Sequence, residues 1–102
     1  MSLFVIIGHD VANSSDQRQQ TRAEHVERLK VLERENRLII AGPTPIEHGL
    51  EAMSGSVIIA DFASLAAAQT WVNAEPYLRD GVYSHVEVRP FIHTLPSDKV
   101  TS

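Results

Sequence analysis

Five histidines, His9, His25, His48, His85 and His93, are the side chains of this sequence best suited to exchange protons near neutral pH. They contain no helical i, i+4 pair, and the chain has no cysteine. Neither a metal site, a thiolate nucleophile nor a disulfide framework is therefore expected. His25 stands apart, because Arg22, His25, Val26, Leu29 and Leu32 recur at three- and four-residue spacing. That spacing puts the imidazole on the stripe a helix turns inward. A histidine there is either hydrogen-bonded at the core margin or a general acid or base in a cleft, its tautomer fixed by a carboxylate. The candidate carboxylates are Glu75, in the turn after a second helix, and Asp10, at the carboxyl end of the first strand. Arg22 either binds an anionic substrate group or pairs with Glu24 or Glu27 on its own helix. Ser54 and Ser56 either offer hydroxyls to a ligand or merely open a strand. Tyr77 and Tyr83 either line a cleft with polar tips or fill a small core. No phosphate-binding glycine loop, His-Glu-x-x-His or nucleophile elbow is present.

The elements that must position these side chains follow from apolar patterning. Leu3-Phe4-Val5-Ile6-Ile7 is short, apolar at every position and followed by Gly8-His9-Asp10, which predicts a first strand covered on both faces. Helix formers dominate from Asp16 to Asn36, predicting a long amphipathic helix. Leu38-Ile39-Ile40-Ala41 is a second strand, expected to stop at Gly42-Pro43 because proline removes a ladder donor. Thr44 to Met53 is a surface connection to a third strand, Ser54 to Ala60, with which the second most simply forms a long-looped hairpin. Ser64 is placed to cap a helix over Ser64–Ala74, and Glu75 to Gly81 is a short turn. Val82 to Pro90 then alternates Val82, Ser84, Val86 and Val88 with Tyr83, His85, Glu87 and Arg89, a strand with one wet face.

The order β-α-β-β-α-β with right-handed crossovers predicts an α+β, ferredoxin-like fold: a four-stranded antiparallel sheet with two helices on one face. The first three strands nevertheless lack alternation, so their second face also needs cover, and no sequence remains to supply it. A homodimer is expected, two sheets packing face to face with the Phe91–Leu95 segment helping to close the seam. At 102 residues the chain makes one domain, read as 1–96 with a polar tail over 97–102. The longest apolar run, Leu3 to Ile7, falls far short of the roughly 18 residues of a membrane span. It also lacks the basic flank of a signal peptide, which predicts a cytoplasmic protein. A net charge of −4 without a basic run argues against nucleic acid and anionic membranes as partners.

Several blocks together resemble the YciI-like (YCII-related) family. They are Leu3-Phe4-Val5-Ile6-Ile7-Gly8-His9-Asp10, Arg22-Ala23-Glu24-His25-Val26-Glu27-Arg28-Leu29, Asn36 to Pro43, Ser54 to Ala60, Glu75-Pro76-Tyr77 with Gly81-Val82-Tyr83, and Val88-Arg89-Pro90-Phe91. The resemblance spans roughly residues 3 to 95. It implies a ferredoxin-like fold of the dimeric α+β barrel superfamily and an active site around the helix-one histidine, here His25, with an acidic partner. The family's best-known activity eliminates chloride from a chlorinated aromatic breakdown product, and the superfamily also holds muconolactone isomerases and small monooxygenases. The turn that the family commonly writes Asp-Pro-Tyr or Asp-Pro-Phe is Glu75-Pro76-Tyr77 here, while Asp10 matches the family's acidic residue after strand one. The loop Thr44 to Met53 is shorter than in many relatives.

The expected function is a small enzyme without metal or other cofactor, a lyase or isomerase moving a proton, or eliminating chloride, on a small cyclic carbonyl compound. In that reading His25 is the acid or base, Glu75 or Asp10 orients it, and Arg22 with Ser54 or Ser56 holds the substrate and developing negative charge. The alternatives are a non-catalytic small-molecule-binding module of the same fold and a cofactor-independent monooxygenase. Acylphosphatase chemistry is disfavoured, because Gly8-His9-Asp10-Val11 is not the arginine-containing glycine loop it needs.

Overall fold

A computed structural model describes residues 2–97. Its elements are β1 (Leu3–Asp10), α1 (Ser15–Arg34), β2 (Leu38–Pro45), β3 (Met53–Asp61), α2 (Leu65–Asn73), α3 (Pro76–Arg79) and β4 (Tyr83–Phe91). The strands form one antiparallel sheet in the order β2-β3-β1-β4, the ferredoxin-like arrangement. Most of the proposed tail lies outside the described residues.

Helix α1 stops where its sequence tells it to. Asn36 takes a left-handed φ of 59°, its N–H donates to the Glu33 carbonyl, and the Arg37 N–H donates to the Leu32 carbonyl. This pair of bonds satisfies carbonyls that the helix end would otherwise orphan. At α2, the Ser64 hydroxyl accepts from the Ala67 N–H at 3.0 Å, as its N-cap position predicts. Two expectations need correction. Strand β2 does not stop at Gly42-Pro43 but runs on through Pro43 to Pro45, because it is an edge strand, where a missing N–H costs no ladder bond on its open side. The Glu75–Gly81 turn also contains a short helix, α3, with Pro76 at its start and Glu75 as its cap.

The covered face of the sheet packs Phe4, Ile6, Ile58 and Ala60 against Leu32 of α1 and Ala68 and Val72 of α2, with Phe62 between. A second cluster, Tyr77, Val82 and Tyr83, joins α3 to the start of β4. Gly8 makes this cluster possible, since a Cβ there would lie 2.4 Å from the Tyr83 ring. The opposite face carries Val5 and Ile7 of β1 beside Val57 and Ile59 of β3, all half-buried, with Ile40 of β2 60% exposed.

Candidate active site

The face that α1 turns to the sheet is half polar. Thr21 and His25 are buried on it beside Leu32, and Arg18, Arg22, His25 and Leu29 follow at helical spacing. His25 is 6% exposed, and its Nδ1 lies 2.5 Å from Oε1 of Glu75, which is itself 2% exposed. Three donors meet on the Glu75 carboxylate: His25 Nδ1, the Tyr77 N–H at 3.2 Å and Arg28 Nη1 at 2.9 Å. A carboxylate so surrounded can only accept, so Nδ1 carries the ring proton and the lone pair of the neutral imidazole resides on Nε2. Nε2 has no hydrogen-bond partner among the described residues. It is not sealed either, since Tyr83 Oη is the only buried unpaired side-chain polar atom among the described residues. The His25 ring stacks on Tyr77 with centroids 3.9 Å apart. Arg28 extends the support by donating to the Trp71 carbonyl and lying 4.1 Å from the centre of the Trp71 ring.

His25 and Tyr77 line a cavity of about 240 Å³ between α1 and the sheet. Val26, Leu29, Ala41, Pro43 and Ile58 make it largely apolar, and Ser56, Arg18 and Arg22 bring polar groups to it. A second hollow of about 530 Å³ adjoins it, sharing Arg18, Arg22, Pro43 and Tyr77. Burial pushes the Tyr77 phenol up from its usual pKa, with the charges of Arg18 and Arg22 opposing the shift.

Asp10, the competing partner for His25, is engaged elsewhere. Its two oxygens take Nε and Nη2 of Arg18 at 2.6 and 3.0 Å, and Oδ2 also accepts from Ser14. Arg18 Nη2 further donates to the Gly55 carbonyl and to Ser56 Oγ. Burial opposes the charge on Arg18, but the hydrogen bonds and proximity of Asp10 outweigh it and hold the guanidinium firmly protonated. Of the other predicted residues, Arg22 and Tyr77 reach the His25 cavity and Ser56 lines it. Ser54 does not: it is exposed, bonded to Thr44, and lines a separate hollow with Asp10. Tyr83 is buried behind the site with its hydroxyl unpaired, its phenol pushed up by burial while neighbouring Ser56 opposes. Glu24 and Glu27 pair with Arg79 and Arg34 rather than with Arg22.

Arg18 and Arg28 are functional neighbours that no sequence motif marks. The available signal was spacing: Arg18 precedes His25 by seven residues and Arg28 follows it by three, so both share its side of α1. The other described histidines do not join the site. His9 and His85 stack on the open sheet face, 4.5 Å apart, with His9 Nε2 2.6 Å from Glu87. Among the described residues no three His, Cys, Asp or Glu side chains are grouped to hold a metal ion, and no helix is long and apolar enough to cross a membrane.

A ferredoxin-like sheet with a carboxylate-held histidine facing a small cavity defines the class to which known proteins can be compared. The chain matches the YCII-related domain over residues 2–92 and belongs to that family. It is 45% identical to protein YciI of Escherichia coli over 93 residues, 87% of this chain and 95% of that protein. A Haemophilus influenzae protein is 44% identical over 92 residues, 86% of this chain and 94% of that one. Among solved structures, the fold is similar to 5-chloro-2-hydroxyhydroquinone dehydrochlorinase (TftG) from Burkholderia phenoliruptrix, in complex with 2,5-dihydroxybenzoquinone. The TM-score is 0.80 and the identity 26%, with 89% of this chain and 94% of that chain covered.

Proposed function

We propose that this protein is a small enzyme needing no cofactor, in which His25 moves a proton on a small cyclic carbonyl compound as a lyase or isomerase. The observation that carries the reading is the Nδ1–Glu75 hydrogen bond, which leaves the basic Nε2 free on a buried ring that lines a cavity sized for a small molecule. Nε2 takes a proton from carbon next to the carbonyl. The freed electron pair enters the carbonyl system, and the resulting enolate either expels a leaving group such as chloride or is reprotonated at another carbon. Glu75 orients the ring and stabilises the imidazolium as it forms. Arg22 and Ser56 flank the place where negative charge develops. The dehydrochlorinase activity named for TftG, on a fold this similar, supports the elimination branch.

The same reading includes a cytoplasmic homodimer paired through the open sheet face. The support for pairing is the apolar patch of Val5, Ile7, Val57 and Ile59, and the exposure at 84% and 73% of Ile92 and Leu95, which follow β4.

The test is turnover across a panel of lactones, quinones and chlorinated cyclic acids. His25→Asn should lower the rate on any accepted compound about 10²–10⁴-fold while preserving the wild-type circular dichroism. Equal rates in the two proteins would refute a proton-transfer role. Ligand-induced rises in Tm with nothing consumed across the panel would instead favour a binding module.

A further inference from the structure

We infer that the ligand of this cavity is a single-ring carboxylate, with Arg22 as the residue that selects its charge; as a substrate assignment this rests on the proposed His25 chemistry. Among the described residues around the inner cavity each ion but one has a partner: Asp10 takes Arg18, and Glu75 takes Arg28. Arg22 makes no ion pair or hydrogen bond within the described residues, although two glutamates stand within five positions of it on α1. Those glutamates are held by Arg79 and Arg34. Arg22 also lies one turn from Arg18, a like-charge spacing that a helix disfavours unless something else balances it. Among the described residues no carboxylate lines the inner cavity. Asp16 and Glu51 line only the outer hollow, where they discourage an anion from stopping short.

The shape limits the rest of the ligand. About 240 Å³ lies below the roughly 300–1,000 Å³ of pockets for drug-sized molecules, which suits one substituted ring. Apolar walls from Val26, Leu29 and Ile58 fit the ring itself. A guanidinium at the junction of the two cavities then fits a carboxylate carried on that ring, by charge-assisted and bidentate hydrogen bonds.

The test compares 2,5-dihydroxybenzoate with hydroquinone, which share the ring and hydroxyls and differ by the carboxylate. Binding to the full chain is followed by amide chemical-shift titration at low salt. Wild type should bind 2,5-dihydroxybenzoate at least about tenfold more tightly than hydroquinone, with shifts at α1 and β2. Arg22→Gln should erase that difference by weakening only the carboxylate, also about tenfold or more. Arg22 is exposed, so the substitution should leave the spectrum of the free protein otherwise unchanged. Equal binding of the two probes by wild type, no saturable carboxylate binding at millimolar concentration, or a preference that survives Arg22→Gln would each overturn the inference. His25→Asn separates the two claims, because it should slow turnover while retaining the carboxylate preference.

Discussion

Glu75 serves three donors with two oxygens, so deleting it and neutralising it should have different consequences. Glu75→Ala strands a buried imidazole and the Arg28 guanidinium, and should cost roughly 3–5 kcal/mol in urea unfolding, the range for breaking a buried pair. Glu75→Gln keeps the shape but offers Nδ1 an amide that can donate as well as accept. It should lose about 10²–10⁴-fold in rate, with a smaller loss of stability than Glu75→Ala. Much at this scale was legible in the sequence. His25 was found from its place on an inward stripe, and Glu75 from its position after the second helix. Which acid meets the ring was not legible, because that depends on how far α3 and β1 lie from α1 in space. Arg18 decides it by engaging both oxygens of Asp10. Composition alone gives no reason to prefer Arg18 to any other arginine of a charged helix.

Helices α1 and α3 are tied by an exposed chain of polar contacts. Arg79 donates to both oxygens of Glu24 and to Asp80, and the Thr21 hydroxyl donates to Asp80 at 2.9 Å. The bonds from Arg79 and then Thr21 hold the Asp80 carboxyl down from 3.8 to about 2. Glu24 is lowered in the same direction, chiefly by Arg79. A depressed carboxylate contributes stability above its unfolded value and loses it as protons are forced on the folded state. The contribution from Asp80 is therefore present above about 3.8 and disappears as pH falls toward about 2. Asp80→Asn should lower Tm at neutral pH by a small amount, since exposed pairs are weak. The gap between variant and wild type should close across that acid window; a gap independent of pH would argue against the tether. Elements with local signals were readable, as Ser64 shows by capping α2. The sequence alone ends strand β2 early, because a proline in a central strand is excluded, while edge position, a property of the whole sheet, permits Pro43 and Pro45.

Taken whole, the sheet has a helix-covered face and an open face that is apolar along β1 and β3 and polar where His9, His85 and Glu87 meet. That second apolar face was evident from strands without alternation, but one chain's sequence holds no record of what covers it. If a second copy does, sedimentation should give twice the 11.3 kDa chain mass, and Ile7→Lys should yield folded monomers. Ile7 lies on the open face opposite Val57, away from the packing that holds α1, so the circular dichroism spectrum should persist. A wild-type protein that sediments as a monomer at micromolar concentration would refute the pairing.

All of the proposed chemistry depends on a neutral His25 carrying its proton on Nδ1, beneath Glu75, with the lone pair of Nε2 open to the cavity. Long-range nitrogen–proton correlation NMR of the imidazole reads this directly, recorded at a pH where the ring is uncharged. The wild type should show the Nδ1–H tautomer; a spectrum showing the Nε2–H tautomer would rule out His25 as the proposed base.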